Sequence, residues 1–116
     1  MKKKITKTEF IKRVTSRPTV FVALLSDGKE IEPVKQRIKN RVEEAEPRTC
    51  VAKSGQHLIF KNSNGESHLC LADVKPHTKI ECFDDGEYLL VETTYTETYY
   101  GFEPEVSKKI LMYKEV

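Results

Sequence analysis

The sequence predicts an α+β domain in which two N-terminal helices pack on a mainly antiparallel sheet of five to seven strands. Three observations carry that expectation. Apolar residues recur at helical spacing before residue 46, the period changes to two from Thr49 onward, and turn-forming residues cut the second half into short runs. With 116 residues, 38% of them apolar, the chain suits one compact domain over 1–116, with residues 1–5 as a basic, solvated tail.

The first helix is the best punctuated element. Thr6-Lys7-Thr8-Glu9 is a capping box, with Thr6 as N-cap, and Ile5 and Phe10 stand where a hydrophobic staple would join them. Phe10, Ile11 and Val14 share one face, and Arg17-Pro18 ends the run near Thr15 because a residue before proline avoids the α region. Thr19 to Leu25 is β-branched and apolar on both faces, which predicts a central strand covered on both sides, or at least one buried along much of its length. Asp27-Gly28 marks a turn, and Lys29 to Glu32 is expected as a brief strand. Pro33 suits the first turn of a second helix running to Ala45, with a narrow stripe of Val34, Ile38, Val42 and Ala45.

Period-two patterning then predicts strands at Thr49–Lys53, Gln56–Lys61 and Glu66–Leu71, the last two joined by the hairpin turn Asn62-Ser63-Asn64-Gly65. Val74 to His77 is a connector. Further strands are expected at Thr78–Phe83, Glu87–Tyr100 and Lys108–Lys114, separated by Asp84-Asp85-Gly86 and by Gly101-Phe102-Glu103-Pro104.

The net charge of +2 conceals a division. Residues 1–53 hold 14 Lys and Arg against 7 Asp and Glu, whereas residues 54–116 hold 6 against 11. Residues 80–107 contain no Lys or Arg but eight acidic residues, interleaved with Tyr88, Tyr95, Tyr99, Tyr100 and Phe102. Tyrosine anchors interfaces and acidic surfaces steer basic partners, so this stretch predicts a non-catalytic interaction module, an inhibitor or adaptor. Its contact residues would be Glu92, Tyr95, Glu97, Tyr99 and Tyr100, with Asp84 and Asp85 steering a basic protein partner such as one that binds nucleic acid. The competing account is that Thr and Tyr simply form strands well and that carboxylates keep an edge strand from aggregating. An exposed Thr/Tyr edge strand would also allow a homodimer.

The basic half suggests an alternative, a nucleic-acid-binding accessory protein contacting phosphate through Lys2, Lys3, Lys4, Lys7, Arg13, Lys35 and Lys39. Against it stand the acidic close of the second helix, Glu43-Glu44-Ala45-Glu46, and the lack of a known nucleic-acid-binding motif.

Catalytic and metal chemistry are weakly signalled. His68 and Cys70 would share one strand face with His57 across the hairpin, but Cys50, His57, His68, Cys70, His77 and Cys82 lack the tight pairings of structural zinc sites. A nuclease-like site around His57, Lys61 and His68 has no supporting motif, and there is no phosphate loop, G-x-S-x-G or H-E-x-x-H. No enzyme, metal or cofactor is expected. The longest apolar run, Val20 to Leu25, predicts no membrane span, and three cysteines without C-x-x-C spacing predict reduced thiols in the cytoplasm.

Overall fold

A computed structural model describes residues 2–26, 31–73 and 77–116, apart from the side chains of residues 31, 32, 39–41, 43 and 44. The described residues form β1 (Lys3–Ile5), α1 (Lys7–Ser16), β2 (Thr19–Leu25), α2 (Ile31–Glu44), β3 (Thr49–Ser54), β4 (His57–Asn62), β5 (Gly65–Cys70), β6 (Thr78–Asp84), β7 (Leu89–Glu97) and β8 (Glu105–Glu115). The protein is mostly antiparallel sheet with two short helices. Among the described residues the strands number eight rather than five to seven, and they divide into two sheets, β1-β6-β7-β8-β2 and β3-β4-β5.

α1 forms as its local sequence requires. The Thr6 hydroxyl oxygen accepts from the Glu9 amide at 3.0 Å, and Arg17 leaves the helix in extended conformation. Phe10, Ile11 and Val14 are buried beneath it. With Leu58, Phe60, Leu69 and Leu71 of the small sheet region they cover one face of the large sheet, meeting Ile80, Cys82, Leu89, Val91 and Tyr113. α2 covers the opposite face, where Val34 and Ile38 meet Val20, Val22, Leu25, Leu90 and Met112. The helices therefore do not form one layer on one sheet. They lie on opposite faces because alternate residues of β7 feed separate cores, Leu89 and Val91 one way and Leu90 the other.

Three expectations are corrected. Residues 3–5 are not a tail: Lys3, Lys4 and Ile5 pair with Asp84, Phe83 and Cys82, making β1 an edge strand. β2 is not central but the opposite edge, paired with β8 and bulged between Phe21 and Ala23. α2 covers one face of β2, whereas Phe21 and Leu24 stay 47% and 55% exposed, although Phe21 meets Tyr113 edge-on at 5.6 Å between centroids. The brief strand expected at Lys29–Glu32 is also absent where it is described, since residues 31 and 32 open α2. Pro33 is tolerated there because first-turn amides have no helical acceptor. Lys29, the Asp27-Gly28 turn and residues 74–76 of the connector lie outside the described residues.

Both cores sit toward one end of the large sheet. The outer ends of β6, β7 and β8 run on past them, and burial declines along β7 from Leu89 to Glu97. The resulting shape measures 48 × 34 × 27 Å, with a radius of gyration of 15.1 Å. A chain of this length closed into a sphere would have about 13 Å.

Candidate functional site

The acidic, cation-free stretch divides into two parts with different electrostatics. Its first part is neutralised from within the molecule. Asp84 accepts from Arg13 at 2.5 Å, and Arg13 also bonds Glu115. Asp85 pairs with Lys35 at 2.7 Å, with both side chains nearly buried. Glu81 pairs with Lys4 at 2.8 Å, and Glu92 sits between Lys2 and Lys108, each at 2.9 Å.

Asp84 and Asp85 also build the β6–β7 turn. Asp84 Oδ1 accepts from the Gly86 amide at 2.8 Å, while Asp85 Oδ1 accepts from the amides of Glu87 and Tyr88 at 3.0 and 2.7 Å. Gly86, at φ +94°, supplies the left-handed residue that closes this turn. Hydrogen bonds from Arg13 and the Gly86 amide hold the Asp84 carboxyl below its ordinary range. Burial pushes Asp85 and Glu92 upward, but Lys35 and two amides in the first case, and Lys108 and Lys2 in the second, more than offset it. Both carboxyls end below their ordinary values.

Asp84, Asp85 and Glu92, expected as contact residues, are thus held in ion pairs within the molecule. They tie the N-terminal segment, α1 and α2 to the large sheet, and Glu92 retains only 9% side-chain exposure. The same pairs engage most of the expected phosphate-binding residues. Lys2, Lys4, Arg13 and Lys35 face these carboxylates, and Lys7 bonds Asp73 at 3.0 Å. Lys3 remains exposed, and the Lys39 side chain lies outside the described residues. The charge division seen along the sequence is thus largely an internal pairing of the two halves.

The second part, at the far end of the β7–β8 hairpin, is different. Register places Tyr95 opposite Ser107 and Glu97 opposite Glu105. Among the described residues no cation pairs with Glu97, Glu103 or Glu105. Like charges directly opposite on a strand pair are destabilising, so the arrangement is not explained by folding. The Tyr99 hydroxyl donates to Glu97, and this bond, reinforced by the charges of Glu97 and Glu105, holds the phenol proton more tightly than usual.

The connection itself is an ordered turn. The Phe102 amide donates to the Tyr99 carbonyl at 3.1 Å, and Gly101 takes φ +80° at the third position, as a type II turn requires. Tyr100 is thereby displayed at the second position, fully exposed, with Phe102 at 76% exposure beside it. Tyr95, Tyr99 and Val106 add further exposed surface. The turn after Tyr100, expected to form part of the contact, displays Phe102 and Glu103, and the start of β8 brings Glu105 and Val106 to the same end, which spacing alone does not show.

The Thr/Tyr strand, expected as an exposed edge open to a homodimer, is an inner strand. β7 is bonded on both sides, to β6 and β8, and the Thr96 amide donates to the His77 carbonyl at 2.8 Å. Its backbone has no open edge.

The histidines of the small sheet do meet. His57 Nε2 and His68 Nδ1 lie 3.0 Å apart, and His68 Nε2 lies 2.8 Å from Glu66 Oε1. Cys70 stands opposite His57 in the strand register. His77 is remote in the fold, at the outer end of β6, and Cys82 is buried in the core, where desolvation raises its thiol pKa to about 11. Among the described residues, no three His, Cys, Asp or Glu side chains are grouped to hold a metal ion.

No protein-family model, curated protein or solved structure matches this chain. No described helix is long and apolar enough to cross a membrane.

Proposed function

We propose that the protein is a non-catalytic interaction module, an inhibitor or adaptor of the cytoplasm, that docks the far end of its β7–β8 hairpin on a basic protein surface. One observation carries the reading. The molecule neutralises its acidic residues near the core but leaves Glu97 facing Glu105 beside exposed Tyr99, Tyr100 and Phe102. Proteins depart from local stability rules mainly where function requires it. Exposed aromatic rings supply contact area at little entropic cost, and unpaired carboxylates accelerate encounter with a positive surface. The fitting partner presents Lys or Arg around an apolar recess that takes Tyr100 and Phe102. The basic half supports nucleic-acid binding less well, because five of the seven cations expected to contact phosphate, Lys2, Lys4, Lys7, Arg13 and Lys35, already hold carboxylates of the same chain.

The test is quantitative capture by the immobilised protein over a salt series, with Glu97→Gln/Glu103→Gln/Glu105→Gln as comparison. The wild type should retain a stoichiometric protein after nuclease treatment, and the variant should associate more slowly and lose most of its salt dependence. Equal association by both proteins overturns the electrostatic role, and a captured species that nuclease destroys returns the function to the basic half.

A further inference from the structure

The outer face of the small sheet carries a feature that neither packing nor the hairpin surface uses. β4 directs Leu58 and Phe60 into the core and β5 directs Leu69 inward, so His57 and His68 project to the other side. The two rings meet edge to face, 5.2 Å between centroids, with the facing nitrogens 3.0 Å apart. We propose that His57 and His68 form a two-imidazole site for a divalent transition-metal ion of the nickel or copper type, with Glu66 as its positioning residue.

The proton arrangement supports this. The ionised Glu66 carboxylate can only accept, so His68 Nε2–H donates to it. A neutral His68 then presents a bare lone pair at Nδ1, directed at His57. A carboxylate on the far nitrogen of a ligating imidazole is the usual second partner of protein metal sites, fixing tautomer and ring orientation. Without metal, His57 Nε2–H donates to that lone pair. When an ion binds, the exposed rings turn so that both nitrogens face it, the proton leaves Nε2 to solvent, Nδ1 of the same ring takes one up, and both lone pairs bind the ion.

Ligand chemistry narrows the kind of ion. Two imidazole nitrogens on exposed rings, with water completing the shell, suit Ni²⁺ or Cu²⁺, whereas structural zinc sites gather four protein ligands. The lack of a third grouped donor among the described residues makes this a labile site rather than a structural one.

The experiment is calorimetric titration of the reduced protein with NiCl₂ in a non-coordinating buffer, because Ni²⁺ does not oxidise the exposed thiol of Cys70. One equivalent should bind. His57→Ala and His68→Ala should each weaken it by more than about tenfold, a larger loss than an outer-shell change causes. Both rings are exposed, so melting temperatures without metal should stay at the wild-type value. His77→Ala and Cys70→Ser should leave the affinity unchanged. Glu66→Ala should weaken binding about tenfold, and Glu66→Gln, which keeps the acceptor oxygen, should restore most of it. Wild-type binding no tighter than that of His57→Ala overturns the site. Zn²⁺ binding more tightly than Ni²⁺ overturns the choice of ion, loss of affinity in Cys70→Ser overturns the two-imidazole donor set, and an unaffected Glu66→Ala overturns the positioning role.

Discussion

The Lys2 ammonium donates to Glu92 Oε2 at 2.9 Å, joining residues 90 positions apart. Lys108 reaches the other carboxylate oxygen at the same distance, so one nearly buried anion links the N-terminal segment to the middle of the large sheet. The asymmetry of exposure predicts an asymmetry of cost. Glu92→Gln releases two lysines that can turn into water, and should cost about 1 kcal/mol. Lys2→Ala/Lys108→Ala strands a carboxylate, and should cost about 3 kcal/mol at neutral pH. Urea unfolding of the two variants checks this, and the larger penalty should shrink at pH 4, where protonation relieves Glu92.

Stability should also depend on acid in a defined direction. Asp84, Asp85, Glu81 and Glu92 all have folded-state pKa values below their ordinary ones. A depressed carboxyl stabilises the fold above its unfolded value, about 4, and loses that contribution as pH falls through the folded value. Thermal melts should therefore be nearly level from pH 8 to about 5 and fall steeply below about 4. Arg13→Ala should flatten the acid limb, since it removes the hydrogen bond that chiefly holds Asp84 below its ordinary range.

Thiol reactivity should report the core. Cys70 is exposed, whereas Cys82 is buried at 1% exposure with its thiol pushed up to about 11. Thiolates are the reactive species, so at pH 8 iodoacetamide should modify Cys70 in the native protein and Cys82 only on unfolding. Peptide mapping over a time course distinguishes the two.

The two cores should respond to truncation, and the hairpin tip should not. Phe10→Ala in one core and Leu90→Ala in the other should each cost about 3–4 kcal/mol, because both side chains are fully buried. Tyr100→Ala should change stability by less than about 0.5 kcal/mol. Gly101→Ala should cost about 1 kcal/mol through its positive φ alone, since open space surrounds the added methyl.

What the sequence made legible was local. Thr6, Glu9 and Pro18 bounded α1 through contacts within a few residues, and Asn62 to Gly65 marked the tight β4–β5 turn. β1 was not legible, because three residues gain their strand character only by pairing with β6, far along the chain. The edge position of β2 is not legible, because its apolar residues run on both faces even though Phe21 and Leu24 remain largely exposed. The acidic-tyrosine stretch was visible as composition, but the division between Glu92 and Glu97 depends on where Lys2 and Lys108 end. His57 and His68 were placed on one face by the hairpin register, whereas their 3.0 Å approach depends on rotamers that spacing does not encode.

The central claim is that the hairpin end is a protein-docking surface. Its most direct measurement is quantitative capture from native lysate by the wild type and by Tyr99→Ala/Tyr100→Ala/Phe102→Ala, at matched melting temperature and after nuclease treatment. The account predicts a stoichiometric basic protein held by the wild type and lost by the variant. The same protein retained equally by both would contradict it.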